Sequence, residues 1–297
     1  MPGGWLMGTD HELLGDRYRL LSAVHRGRGA VMWHAHDTRL RRNVAIKELR
    51  PPHHDDEPDL QTARRRALRE ARSAARLSHP AVVTVHDLLE ANGRLWIVTE
   101  LLEGLTLEET IRHLGQLPVH WSAWVGFQLL AGVRHAHETG VVHGAIEPAN
   151  VLLTEDRVVL TDFGMAAIQG SGSTTIPVVR TAAYLAPERV TGGQPTVASD
   201  LWSFGATLYC AVEGRPPYAE AGSLTELERA LDGDPEPPRR AGPLGPVMEG
   251  LLRRDPDERL TAKAAVSLLV GVLRRLGISA APPGRRPEVP PARAFTT

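Results

Sequence analysis

The segment VVHGAIEPANVLL, Val141 to Leu153, sets a histidine, a glycine and an asparagine between two apolar runs. In a phosphoryl-transfer enzyme a loop of this form offers a carboxylate to the attacking hydroxyl and a cation to the phosphate. Here the corresponding places hold Ala145 and Glu147. A second residue stands out by scarcity. Of the 34 lysines and arginines, only Lys47 and Lys263 are lysine. Where charge alone mattered this chain would supply arginine, so Lys47 marks a place that needs a compact ammonium. The loop is therefore a damaged active site, a rewired one, or no active site.

The elements that must position these residues fall into two halves. Tyr18 to Leu49 reads as strands with turn punctuation, and AVVTVHDLLE with RLWIVTELL as a further strand pair joined at Asn92-Gly93. Between them, Asp59 to Leu77 has helical spacing, with Leu60, Ala63, Ala67, Ala71 and Ala74 on one face. After Gly104 the pattern turns helical: Leu105 to Leu114, then Trp121 to Thr139. A short strand pair is expected at Val151–Leu153 and Val158–Leu160, a polar loop at Ala166 to Val178, and helices broken by Pro-rich turns from Ala198 to Leu276. The expected architecture is α+β and bilobal, with a cleft between a β-rich lobe and a mainly helical one.

Bulk properties narrow the function. A chain of 297 residues with 42% hydrophobic content can bury a sizeable core. A formal net charge of −1 gives no support to a nucleic-acid or membrane-surface binder. One cysteine, Cys210, excludes an intramolecular disulfide and fits the cytoplasm; its apolar setting suggests a buried, inert thiol. No secretory signal is read at the start, and Ala264 to Leu273 is too short to span a bilayer.

The order of short motifs resembles that of bacterial, Hanks-type serine/threonine protein kinases over roughly Tyr18 to Leu276. VAIK ends at Lys47, LREARSAARLSHP contains Glu70, and TDFG gives Asp162, Phe163 and Gly164. LAPE ends at Glu188, SDLWSFG contains Asp200, and RRDPDERLT contains Arg259. The resemblance implies a kinase-like domain over 18–276, with an N-lobe at about 18–100 and a C-lobe at about 104–276. Residues 1–17 would be an extension and 277–297 a disordered Pro/Arg-rich tail. It implies ATP and Mg²⁺ as cofactors. Lys47 would hold the α- and β-phosphates, oriented by Glu70; Asp162 and Asn150 would bind metal; Glu100 to Leu102 would face the adenine edge, with Thr99 behind it. Asp200 would hold the backbone of the His143 loop, and Glu188 and Arg259 would form a buried ion pair.

Three departures put activity in question. The glycine-rich loop reads HRGRGA, so His25, Gly27 and Ala30 stand at the family's three glycine places, with Gly29 as an extra. His-Arg-Asp becomes His143-Gly144-Ala145, which removes the proton acceptor; a placed general base contributes roughly 10²- to 10⁴-fold. The following lysine becomes Glu147. Two unit charges 4 Å apart interact by roughly 4 kcal/mol at an effective dielectric near 20, here with the wrong sign. Gly144 also removes the arginine that would clamp a phosphate on Ser171, Ser173, Thr174 or Thr175; Arg180 is a substitute cation, and Thr181 has lost its partners. The expectation is an ATP-binding pseudokinase that regulates or docks a protein partner, such as a genuine kinase. Two alternatives stay open: an atypical active kinase using Glu147, and an interaction domain that binds no nucleotide.

Overall fold

The computed structural model describes residues 13–27, 30–49, 65, 68–163, 182–218 and 224–280. The chain divides into two compact units, Met1–Ala75 with Thr84–Leu102, and Arg76–Val83 with Glu103–Thr297. The first is strand-rich and the second mainly helical, the α+β organisation expected from the pattern.

The first unit is a five-stranded antiparallel sheet in the order β1-β2-β3-β5-β4. Its strands are β1 (Tyr18–Gly27), β2 (Ala30–Asp37), β3 (Arg42–Leu49), β4 (Val85–Ala91) and β5 (Arg94–Glu100). Alternation decides what each face carries. On β3, Val44 and Ile46 enter a core with Leu14, Tyr18, Ala35, Trp96 and Val98. Ala45 and Lys47 therefore face the other way, Lys47 opposite Met32 of β2 and Ile97 of β5. Asn92 and Gly93, at φ 52° and 71°, make the two-residue turn between β4 and β5. That turn needs both residues left-handed, which is why Asn-Gly signals it.

One end of this sheet is tied by charge. Buried Asp37 accepts from Arg17 Nε at 2.9 Å and Nη2 at 2.7 Å, and from the amides of Arg39 and Leu40. Arg17 and the Tyr18 hydroxyl both reach Asp87 at the start of β4. The Arg17 bonds hold the Asp37 carboxyl far below the usual carboxylate range despite its burial. The helical segment 68–74 buries Ala71 and Ala74, two positions of the predicted apolar face; positions 60, 63 and 67 lie outside the described residues.

In the second unit a three-stranded sheet, β6 (Leu105–Thr106), β7 (Val151–Leu153) and β8 (Val158–Leu160), is followed or flanked by helices. These are α1 (Leu107–Leu114), α2 (Val119–Glu138), α3 (Pro187–Val190), α4 (Val197–Glu213), α5 (Leu224–Ala230), α6 (Gly245–Leu251) and α7 (Ala262–Arg275). α4 is the axis: from Ser199 to Val212 every residue is buried. Its first turn is closed by Thr196 and Ser199 bonding each other's backbone, and Gly214 ends it in the left-handed conformation.

Three of the boundaries that differ from the sequence reading have a local cause. α1 begins at Leu107, because Thr106 and Glu109 form a capping box and Leu105–Thr106 pairs with β7. α2 begins at Val119, since Pro118 stands at its N-cap. β4 begins only at Val85: Ala81 and Val83 instead bond Leu160 of β8, through a parallel bridge at Val82. Among the described residues no helix is long and apolar enough to cross a membrane.

Candidate functional site

The hairpin of β7 and β8 sets the geometry of the loop. Its register pairs Val151 with Leu160, so the residues just outside, Asn150 and Thr161, sit side by side. Thr161 donates to the Asn150 carbonyl from its amide at 2.9 Å and its hydroxyl at 3.2 Å. Asn150 and Asp162, the two predicted metal ligands, are thereby brought to one end of one hairpin. Asn150 is buried and its Nδ2 donates to the Ala145 carbonyl at 2.8 Å, which turns Oδ1 away as the acceptor end.

Asp162 has φ 65°, a region that non-glycine residues avoid. Its neighbours hold it there. His143 Nε2 bonds the Thr161 carbonyl at 2.8 Å, and the Phe163 ring meets the His143 ring edge-on at 4.5 Å. The tautomer follows: His143 Nδ1 accepts from the Ala145 amide at 3.2 Å, so Nε2 carries the proton. Burial pushes the His143 imidazole below its ordinary value, which keeps it neutral. Strain persists only where the surroundings over-determine it, and such places cluster at functional sites.

The loop is pinned from below by Asp200 on α4. Its Oδ2 accepts from the His143 amide and its Oδ1 from the Gly144 amide, both at 2.8 Å. His137 of α2 adds a third bond to Oδ2 at 2.8 Å. Gly144 sits at φ 77°, where glycine is at ease and a side chain is strained. His137 was not singled out from the sequence; the signal available was its place four residues after buried Val133, on the inward face of α2.

Ala145, predicted to stand at the place of the family's proton acceptor, presents a methyl group, 5% exposed. Glu147 precedes a short 3₁₀ turn, Pro148–Asn150, and is half-buried. Its carboxylate reaches electrostatically as far as Tyr184, whose hydroxyl is raised first by burial and then by Cys210, with Glu147 adding to the shift. Cys210 is buried, and its thiol is pushed up to about 11 chiefly by burial, so it stays protonated. Arg259 forks onto Glu188 at 2.6 and 2.7 Å and also bonds the carbonyls of Ala198, Arg253 and Arg254. The Arg259 side chain is fully buried, while that of Glu188 is partly exposed.

The first unit carries the other predicted residues. Lys47 is half-buried on the face of β3 opposite the core, and Glu70 lies in segment 68–74. Its neighbour Glu48 is a surprise: it is 1% exposed on the core side, accepts from the Trp33 indole at 3.2 Å and pairs with Arg94. Glu100 bonds Thr84 through both its amide and its side chain, and its carbonyl accepts from the Thr99 hydroxyl. Leu102 lies two residues beyond β5, and Gly27 ends β1 opposite Ala30. Gly29, Gly164, Ser171, Ser173, Thr174, Thr175, Arg180 and Thr181 lie outside the described residues.

No cluster of three or more His, Cys, Asp or Glu side chains able to hold a metal occurs among the described residues. The side chains predicted to bind metal, Asn150 and Asp162, each carry a hard oxygen, and magnesium takes one or two such side chains and completes its shell with waters and substrate phosphates.

The protein kinase domain family model matches residues 18–268. A probable serine/threonine-protein kinase of Streptomyces coelicolor, SCO3848, is 37% identical over 260 residues, covering 83% of this chain and 38% of the relative. The serine/threonine-protein kinase PknA of Mycobacterium tuberculosis is 34% identical over 285 residues, covering 93% and 64%. PknB of Mycolicibacterium smegmatis is 32% identical over 270 residues, covering 86% and 43%. The chain thus spans from 38% to 64% of the length of these relatives. The hairpin that sets Asn150 beside Asp162, the Asp200 anchor and the Glu188–Arg259 fork all lie within residues 18–268 that this family model matches, and the chain belongs to the protein kinase domain family, in its bacterial serine/threonine branch.

Proposed function

We propose that the chain is a pseudokinase: a kinase domain that binds Mg-ATP and regulates or docks a protein partner, with little or no phosphotransfer. The carrying observation is the contrast within one loop. Every bond that shapes it is made, from Asp200, His143 and Asn150, yet Ala145 brings a methyl group where a proton acceptor is required. Asn150 and Asp162 would hold magnesium, which would neutralise the nucleotide's charge. Lys47 would take its phosphates and Glu70 would orient that lysine, while Glu100 and Leu102 would border the base. With no group to take the hydroxyl proton and Glu147 repelling the phosphate, the general-base contribution of roughly 10²- to 10⁴-fold is missing.

Strain at Asp162 supports retained binding, because an αL aspartate costs on the order of 1–3 kcal/mol that an unused site need not keep. Thermal denaturation with Mg-ATP tests this half of the proposal. At one hundred times the dissociation constant the ligand should stabilise the fold by about 2.7 kcal/mol. Asp162→Asn should lose most of that shift. No shift at millimolar Mg-ATP would favour a nucleotide-free interaction domain instead.

A further inference from the structure

Residues 76–83 form a strap that leaves the first unit after Ala75, lies on the second, and returns at Thr84. It follows directly from the helical segment that carries Glu70. Its docking is dense. Ala81 accepts from the Leu160 amide at 2.9 Å, Val83 donates to the Leu160 carbonyl at 3.0 Å, and Arg157 reaches the Pro80 carbonyl at 3.1 Å. Gly132 of α2 lets the strap approach closely: a Cβ there would stand 2.7 Å from the Ala81 carbonyl oxygen. Two imidazoles complete the contact. His79 of the strap stacks on His135 of α2, centroids 5.0 Å apart and planes at 24°.

We propose that this strap is a proton-sensitive latch, closed while His79 is neutral and loosened when His79 takes up a proton. The geometry gives two separate reasons. His79 Nδ1 accepts from the Ala81 amide at 3.1 Å, so in the neutral ring Nδ1 holds a lone pair. Protonation puts a hydrogen there and turns one hydrogen bond into two opposed donors. The stacked partner gives no relief: His135 Nε2 is buried with no hydrogen-bond partner among the described residues. The charged groups around His79 point the same way on balance. Burial lowers its affinity for a proton most, then His135 and Arg134; Glu138 alone opposes them. Arg157, bonded to Pro80, adds a further cation, and β8 contributes no titratable side chain.

Because His79 is held below its ordinary value of 6.5, the closed latch is whole above that pH. It weakens as pH falls from 6.5 toward the depressed value, where the closed form also takes the proton and the loss stops growing. Amide exchange at Ala81 and Leu160, corrected for intrinsic rates, reads this on the 297-residue chain between about pH 5 and pH 7.5. Protection should fall by up to about tenfold per pH unit below 6.5, the limit for one proton. His79→Asn keeps an acceptor for the Ala81 amide but cannot titrate, and its profile should be flat. A flat wild-type profile, or an unchanged slope in His79→Asn, overturns the proposal. Should His79→Asn not fold, His135→Phe keeps the stack and removes one imidazole. His79 then titrates closer to 6.5 and the pH span of the loss narrows; an unchanged span equally overturns it.

Discussion

Asp200→Asn isolates the anchor of the loop. The carboxylate is 1% exposed and three donors converge on it: the amides of His143 and Gly144, and His137 Nε2. An asparagine has one acceptor oxygen and a donor in place of the second. Whichever way it turns, one of the two backbone amides meets an NH₂ group and is left buried without an acceptor. That orphan costs roughly 1–3 kcal/mol, and the surviving bonds lose their charge assistance, about 1 kcal/mol more. The total is about 2–4 kcal/mol. Local amide exchange is the right assay, since a chain of two units need not unfold in one step. Exchange at His143 and Gly144 should accelerate by about 30- to 1,000-fold, while the β3 amides of the first unit stay as they were. Acceleration of less than about threefold at both amides would refute the reasoning that Asp200 shapes this loop.

Two further outcomes follow from the charge networks. Arg259→Lys replaces a fork that bonds both Glu188 oxygens and three backbone carbonyls by a single ammonium, and should cost about 3 kcal/mol in chemical denaturation of the second unit. Asp37 has its carboxyl depressed by Arg17, so its contribution is whole above the unfolded value of 3.8 and is lost as pH falls below it through the folded value. Urea titrations between about pH 5 and pH 2.5 should show that loss, and Asp37→Asn should remove this acid dependence at the price of lower stability at neutral pH.

Much of this was legible beforehand for identifiable reasons. The β7 and β8 strands and the Asn92-Gly93 turn announce themselves because alternation and left-handed φ demand particular residue types. Asp200 and Arg259 could be read because motif order carries their roles. What escaped depends on tertiary partners. Ala81 to Val83 look like the start of β4, but their hydrogen bonds go to Leu160, a choice no local pattern encodes. Leu105 and Thr106 fit a helical spacing until the capping box and β7 claim them. Nothing in the sequence singles out Glu48, beside Lys47; only the arrival of Trp33 and Arg94 makes its burial tolerable. The positive φ of Asp162 is likewise invisible in TDFG, because it is imposed by His143, Thr161 and Asn150 together.

In the proposed pseudokinase the loop's scaffold is intact and only its chemistry has been removed. Transfer of radiolabelled γ-phosphate, compared between the parent chain and the paired variant Ala145→Asp with Glu147→Lys, tests it most directly. Background transfer is expected from the parent, with a gain of roughly 10²-fold or more on restoring the proton acceptor and the cation. Parent chain that already transfers phosphate, and loses that activity in Glu147→Gln, would contradict it and make Glu147 the working base.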